Sequence, residues 1–154
     1  MDDQLSGFSR TAWDEVPDSG TASFSGYATL VVDTAPAVSL LIGNANININ
    51  FDNPGVIGSL TNFVGSDSSG NLEEYDGTIA VTSGTLARFR DNDFYAIYGG
   101  SLAAPGDSII ISGELEGEFV RTPLQGIQAK DTGVVASHNG TSTLADLKVV
   151  GQLK

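Results

Sequence analysis

The chain has 154 residues, of which 40% are hydrophobic, and this is enough for one globular domain with its own core. Its formal net charge is -12 with only seven Lys and Arg residues, which excludes the basic surface that nucleic acid or acidic membrane lipids require. The sequence contains no cysteine and therefore no disulfide, thiolate metal site or lipidated cysteine, while 19 glycines favour a β-rich fold with many turns.

The first 19 residues differ from the rest and are predicted to form a separate N-terminal arm. Their apolar residues follow a loosely helical spacing and include the only tryptophan: Leu5, Phe8, Trp13 and Val16. Two interpretations remain open, a plug at one end of the following domain or a segment that docks on a neighbouring subunit. The opening MDDQLSGFSR has neither the basic nor the apolar region of a signal peptide.

From residue 20 onward, apolar and polar residues alternate in segments that turn residues separate, which is typical of strands with one buried face. The predicted strands cover 20–33, 38–51, 56–64, 72–83, 94–102, 107–120, 131–138 and 143–153. The third strand leaves the buried face ambiguous, and residues 120–130 are less regular. Asn139-Gly140 is the strongest hairpin signal in the chain.

The second predicted strand carries an unusual row of amides. Every second residue in its later half is asparagine, a residue type that strands usually avoid: Asn44, Asn46, Asn48 and Asn50. One interpretation is a solvated face whose side-chain amides pair with one another. The other is a contact ladder to a neighbouring copy of the chain.

The longest predicted strand, DSIIISGELEGEFV at 107–120, has one apolar face and one acidic face. Its two core-side glycines, Gly113 and Gly117, indicate a strongly bent sheet or a barrel wall. Glu114, Glu116 and Glu118 share the other face, about 7 Å apart along the strand. Paired carboxylates can hydrolyse glycosides, but an outward face without a cleft favours a solvated wall that limits aggregation.

Eight strands joined by short turns predict an all-β fold, an eight-stranded antiparallel up-and-down β-barrel with a short N-terminal arm. The arm covers residues 1–19 and the barrel domain residues 20–154. Side chains just fill the interior of such a barrel, so a large ligand cavity is not expected. A transmembrane barrel is rejected because the glutamates would line its lumen without enough cations and the aromatic residues form no girdles. We therefore expect no membrane insertion.

A resemblance to a known family rests on four Gly-spaced segments: GTASFSGYATLVVD, GVIGSLTNF, EYDGTIAVTSG and GELEGEFV. They resemble the C-terminal eight-stranded barrel of bacterial transferrin-binding protein B and of related surface lipoproteins such as factor H binding protein. The resemblance spans roughly residues 20–153 and implies a barrel whose loops bind a host protein or small ligand. The sequence departs from that family in VRTPLQG, after Phe119, and in its missing anchor cysteine. No residue here matches a transferrin, haem or complement contact.

Residue types suited to chemistry are sparse. The single histidine, His138, flanks the predicted hairpin turn and is interpreted as solvated, and no GxSxG motif is present. Acidic loop residues that could bind calcium match no EF-hand spacing: 67–71, 73–76 and 91–93. We therefore predict no enzyme, and no catalytic, cofactor-binding or metal-binding residue.

The sequence favours a non-enzymatic structural or decoration subunit of a larger extracellular or virus-like assembly. Its partners would be proteins, either copies of itself or the assembly, and its location extracellular, on a cell surface or on a virion surface. The predicted partner contacts are the arm and the amide row: Leu5, Phe8, Trp13, Asn44, Asn46, Asn48 and Asn50. The alternative is a secreted or surface-displayed binding protein for a host protein or a small ligand.

Overall fold

The structure, a computed structural model, describes residues 17, 19–34, 37–66, 72–86, 93–120 and 125–154. These residues form a closed barrel in which each strand pairs antiparallel with its neighbour in the chain and the last pairs with the first. The strands are β1 (Thr21–Thr34), β2 (Ala37–Asn50), β3 (Gly55–Ser66), β4 (Leu72–Leu86), β5 (Phe94–Ala104), β6 (Asp107–Val120), β7 (Gly126–His138) and β8 (Thr141–Leu153). The predicted all-β up-and-down barrel is confirmed.

The part of the chain that the structure describes contains no helix long and apolar enough to cross a membrane. Residues 1–16 and 18, and with them most of the predicted N-terminal arm, lie outside the described residues. Leu5, Phe8 and Trp13 belong to that part of the arm, so their predicted role in partner binding stays a prediction.

Alternating side chains from all eight strands fill the barrel with one apolar core. The core arises because successive side chains of a strand point to opposite faces, so every second residue of each strand meets the others inside. The largest fully buried members are Tyr98, Phe24, Phe63, Phe94, Phe119, Leu30, Leu41, Ile49, Leu60, Ile79, Leu102 and Ile109.

The two core-side glycines of β6 make room for aromatic side chains of the neighbouring strand. Gly117 lies opposite Phe94 and Gly113 opposite Tyr98. A Cβ atom on Gly117 would lie 2.0 Å from the Phe94 ring, and one on Gly113 would lie 2.2 Å from Asp131 Oδ2 and 2.9 Å from the Tyr98 hydroxyl. Both glycines are therefore needed for packing against β5 rings, a more specific reason than the bend that the sequence indicates.

A bulge in β3 explains why the buried face of this strand is ambiguous in the sequence. Asn62 adopts a positive φ of 56°, and the pairing of β3 with both neighbours shifts around it. Leu60 before the bulge and Phe63 after it are both fully buried, although their spacing of three would place them on opposite faces of a regular strand.

A second bulge explains why β7 begins at Gly126 rather than at residue 131 as predicted. Gly133 has a φ of 65°, and its N–H donates to Asp146 Oδ1 over 2.7 Å. The inward residues are odd-numbered before this point, as at Ile127, and even-numbered after it, as at Ala136. Because the inward residues change from odd to even positions, a single period-two pattern does not predict the first half of this strand.

Candidate functional site

Side chains occupy the barrel interior in the part of the chain that the structure describes. Candidate sites therefore lie in polar clusters at the barrel mouth and wall, and on the outer surface. Four such regions contain chemistry-bearing residues. They are a carboxylate cluster at the mouth, a tyrosine–aspartate pair in the wall, the acidic face of β6 and the outer face of β2.

The mouth cluster centres on Asp107, whose side chain is 1% exposed. Its Oδ1 lies 2.5 Å from His138 Nε2 and accepts a hydrogen bond from Asn139 Nδ2 over 3.1 Å. Its Oδ2 accepts a hydrogen bond from the hydroxyl of Tyr75. The carboxylate thus joins β4, β6 and the end of β7, so the cluster closes one mouth of the barrel. The interpretation of His138 as a solvated residue is wrong, because only 12% of its side chain is exposed.

Asn139, at the hairpin turn, extends this cluster along the strand ends. Its side-chain Oδ1 accepts a hydrogen bond from Ser108 N over 2.7 Å, and its own N–H donates to Ser108 O over 2.9 Å. A catalytic Asp–His pair would need a nucleophile bonded to the other ring nitrogen of the histidine. No hydroxyl of the described residues bonds that nitrogen, and the hydrogen bonds that the cluster makes join the strand ends.

Tyr98 of β5 and Asp131 of β7 form a second polar contact, which crosses β6 on the inner side of the wall. The Tyr98 hydroxyl donates to Asp131 Oδ2 over 2.8 Å. Burial raises the pKa of Tyr98 far above its usual value, and the hydrogen bond and negative charge of Asp131 raise this pKa further. The pair lies over Gly113, where the register of β6 and β7 is interrupted. It therefore supplies a polar contact at a break in the ladder.

The glutamates of β6 lie on the outer face as predicted. Glu114 and Glu116 are exposed, and Glu118 Oε2 accepts a hydrogen bond from Gln128 Nε2 over 3.2 Å. Among the described residues, no three acidic, histidine or cysteine side chains converge on a point that could hold a metal ion. The predicted acidic loop residues 67–71 and 91–92 lie outside the described residues. Asp93 is fully buried, and its Oδ2 accepts a hydrogen bond from Phe119 N over 2.9 Å.

The outer face of β2 contains the predicted amide row. Two of its four side chains form hydrogen bonds with other residues of the described chain. Asn48 Oδ1 accepts a hydrogen bond from Ser23 Oγ over 2.6 Å. Asn50 Oδ1 accepts hydrogen bonds from the backbone N–H groups of Asp52 and Asn53, over 3.0 and 3.1 Å, and so shapes the β2–β3 turn. Asn44 and Asn46 make no comparable side-chain bond to the described residues.

Asn44 and Asn46 line a surface groove of about 420 Å³ that crosses β1, β2 and β8. We call it the β1 groove. Its outward side chains form two rows across the strands, one of Asn46, Ser25 and Gln152 and one of Asn44, Tyr27 and Val150. Apart from Val150, the rows consist of neutral side chains that form hydrogen bonds, so the groove is suited to an uncharged polar ligand.

The earlier half of the outer row of β2 is aliphatic. Val38, Leu40 and Ile42, together with Val64 of β3, are between 38% and 58% exposed and form what we call the apolar patch. Ile42 lies directly opposite Val64, so the two strands contribute to one continuous surface. The sequence alternation also places Val38, Leu40 and Ile42 on one face, but it does not bring Val64 beside them.

Comparisons with family models, with curated proteins and with solved structures found no match to this chain.

Proposed function

We propose that this chain is a non-enzymatic structural or decoration subunit that attaches to a larger extracellular or virus-like assembly through its apolar patch. The observation that carries the proposal is the group of exposed aliphatic side chains on β2 and β3: Val38, Leu40, Ile42 and Val64. A soluble domain gains nothing for its own stability by exposing such a surface, whereas a partner that covers it removes apolar area from water.

The edges of the apolar patch indicate what kind of partner fits. Asp33 lies opposite Val38 on one side, and Glu74 lies opposite Val64 on the other, and both carboxylates are exposed. Protein interfaces combine an apolar centre with a polar rim, and charges across them are complementary. We therefore expect an apolar partner surface with a basic rim. A second copy of this chain, with a net charge of -12, would bring carboxylates against carboxylates.

The filled interior supports a function at the surface. An eight-stranded barrel that holds a ligand inside needs space that side chains leave free, but here one core cluster reaches from Phe24 to Val149. The proposal includes the finer relationship that the sequence resemblance implies, a barrel of the transferrin-binding protein B type displayed on a cell or virion surface. On such a scaffold the partner is set by the outer residues rather than by the fold.

The test measures whether the protein sediments with the extracellular particles of the culture that produces it. The variants Leu40→Gln and Val64→Gln should each weaken attachment at least tenfold, because truncating residues at the centre of an interface typically costs about 2 kcal/mol or more. Deleting residues 1–14 should weaken attachment independently if the arm also docks on the partner.

Val135→Gln is the matched control, because Val135 is a 65% exposed aliphatic residue on the outer face of β7. It should leave attachment unchanged. The proposal would be wrong if the wild-type protein remained in the soluble fraction, or if all three glutamine variants attached equally well. Concentration-dependent oligomers that Leu40→Gln abolishes would instead assign the patch to a second copy of the chain.

A further inference from the structure

The β1 groove differs from the rest of the surface because its free hydrogen-bonding groups are neutral. Among the residues that the structure describes, its lining contains Asn, Gln, Ser and Tyr side chains and no charged residue, in a protein whose formal net charge is -12. Amides and hydroxyls both donate and accept hydrogen bonds. A ligand that matches them must do the same without carrying charge.

The floor of the groove consists of residues with little or no side chain. Gly26 lies opposite Ala45 of β2 and opposite Gly151 of β8, so one inward row across three strands consists of two glycines and an alanine. A Cβ atom on Gly26 would lie only 2.1 Å from Val150 O and 2.9 Å from Gly151 Cα. Gly26, Ala45 and Gly151 line the floor of the groove, so backbone atoms form much of its surface. The concavity is thus part of the fold rather than a gap between mobile side chains.

The side chains that face the groove are not used by the barrel itself. The Asn48 side chain accepts a hydrogen bond from Ser23, and the Asn50 side chain accepts hydrogen bonds from the backbone of the β2–β3 turn. The side chains of Asn44, Asn46 and Gln152 make no hydrogen bond to the residues that the structure describes. The boundary between asparagines with and without such a hydrogen bond coincides with the edge of the groove. Asparagine is unfavourable in strands, so the two unengaged members of the row have no local structural role that accounts for them.

Tyr27 adds an aromatic face to these amides. It stands between Asn44 and Val150 in the register, and it is 41% exposed. An aromatic face is electron-rich and attracts the weakly positive C–H groups of a saturated ring, while the surrounding amides bond the hydroxyls of that ring. The groove volume of about 420 Å³ lies within the range of small-molecule sites.

We propose that the β1 groove is a binding site for a neutral saccharide, which stacks on Tyr27 and forms hydrogen bonds with Asn44, Asn46 and Gln152. A sugar ring presents hydroxyls that donate and accept and an apolar face of C–H groups, which is the combination that the groove complements. An anionic sugar is disfavoured because no described residue of the lining is a cation and the protein is acidic. This site is separate from the apolar patch, so it does not depend on the proposed assembly role.

The experiment is an NMR titration of the whole chain, uniformly labelled with ¹⁵N. The probes are methyl glycosides of glucose, galactose, mannose and N-acetylglucosamine, followed by neutral oligosaccharides of these sugars. We expect at least one to cause saturable shifts of the side-chain amides of Asn44, Asn46 and Gln152. A single sugar should bind with a dissociation constant on the order of 1 mM, because a small ligand in an open site gains few contacts.

Variants distinguish the groove from other surfaces. Tyr27→Ala and Asn46→Ala should each weaken binding at least tenfold, and Tyr27→Phe should retain it because the ring remains. Asn48→Ala is the matched control, since it removes an amide from the same strand face outside the groove lining and should leave binding unchanged. Dispersed backbone amide spectra confirm that each variant is folded.

Several results would overturn the proposal. These are the absence of saturable shifts with every neutral probe, shifts that persist in Tyr27→Ala and Asn46→Ala, and binding restricted to a charged sugar such as glucuronate. Signal broadening that depends on protein concentration and disappears in Asn46→Ala, without any sugar effect, would assign the amides to a contact between copies. Attachment to particles in the sedimentation assay has no bearing on this result, so the two proposals fail separately.

Discussion

The outer row of β2 presents two different surfaces on one continuous strand. Its first half is aliphatic, with Val38, Leu40 and Ile42, and its second half is a row of amides that begins at Asn44. The inner row changes in parallel, from the bulky Leu41 to the small pair Gly43 and Ala45. The outer surface bears the apolar patch over the bulky residue and the β1 groove over the small ones.

A barrel filled by side chains can thus present two different outer surfaces along one strand, one aliphatic and one polar and concave. The inward side chains of β2 belong to the core, and its outward side chains form the two surfaces. Inner and outer rows are therefore expected to respond to mutation differently. Inner changes should alter the free energy of unfolding, and outer changes should alter binding alone.

The largest loss of stability is expected from a substitution in the core beneath the apolar patch. Leu41→Ala removes a fully buried side chain from the core and should lower the free energy of unfolding by about 2–5 kcal/mol, because a cavity remains where contacts are lost. Urea denaturation monitored by circular dichroism measures the change. Leu40→Ala, at the adjacent exposed position, is the matched control and should cost far less. Equal losses at the two positions would contradict the assignment of inner and outer rows.

The next effect is expected beneath the groove. Gly26→Ala places a Cβ atom 2.1 Å from Val150 O, so β1 and β8 must move apart, and the free energy of unfolding should fall by about 1–3 kcal/mol. The folded Gly26→Ala protein should also bind sugar more weakly than the wild type. At Gly55 an added Cβ meets only Asn53 O, at 3.7 Å, so Gly55→Ala should have little effect on either measurement. A stable Gly26→Ala variant with full binding would show that the concavity has another cause.

A pH-dependent effect is expected on the opposite side of the barrel, at Tyr98. The pKa of the folded-state phenol is raised, whereas an unfolded tyrosine ionises near pH 10. The unfolded chain therefore loses its proton first, so the stability that Tyr98 contributes is complete below about pH 10 and declines above it. Tyr98→Phe should cost about 1 kcal/mol at neutral pH through the lost hydrogen bond to Asp131, and should flatten the alkaline decline.

Urea denaturation at several pH values between about pH 8 and pH 11 tests this expectation. The difference between wild type and Tyr98→Phe isolates one phenol from the other tyrosines. Tyr27→Phe removes an exposed hydroxyl and should change the curve less. Superimposable curves for wild type and Tyr98→Phe would rule out the raised pKa of Tyr98 as a contributor to alkaline unfolding.

The smallest effects on stability are expected in the outer row itself. Leu40→Gln and Asn46→Ala should each change the free energy of unfolding by no more than about 0.5 kcal/mol, because neither residue contributes buried contacts to the core. They should nevertheless separate in function, with Leu40→Gln losing attachment to particles and Asn46→Ala losing sugar binding. A variant that lost both activities would contradict two independent sites on β2.

The fold was largely predictable because the signal for it repeats along the whole chain. Alternation in β1, β2, β6 and β8 places the same face inward at every second residue, and Asn139-Gly140 predicts the last hairpin. The misses occur where a bulge changes the phase, at Asn62 in β3 and at Gly133 in β7. A bulge adds one residue without a strong compositional signal, so periodicity alone does not locate it.

The candidate sites were less predictable because they depend on residues that are distant in sequence. Tyr75 and His138 meet at Asp107 from three different strands, and nothing in local spacing indicates that contact. The β1 groove likewise joins the amides of β2 to Gln152 near the end of β8 through closure of the barrel. The amide row itself is evident in the sequence. Only the structure shows which of its asparagines form side-chain hydrogen bonds and which do not.

The pairing of β1 with β8 that closes the barrel also places the start of the first strand beside the end of the last. Phe24 pairs with Leu153, and Lys154 N donates to Ser23 O over 3.0 Å, so the start of β1 and the end of β8 lie at the same rim. Val38 is at the other end of β2, roughly 40 Å along the strand at 3.3 Å per residue. The apolar patch therefore lies toward the rim opposite both ends of the barrel, and the β1 groove lies along the wall between them.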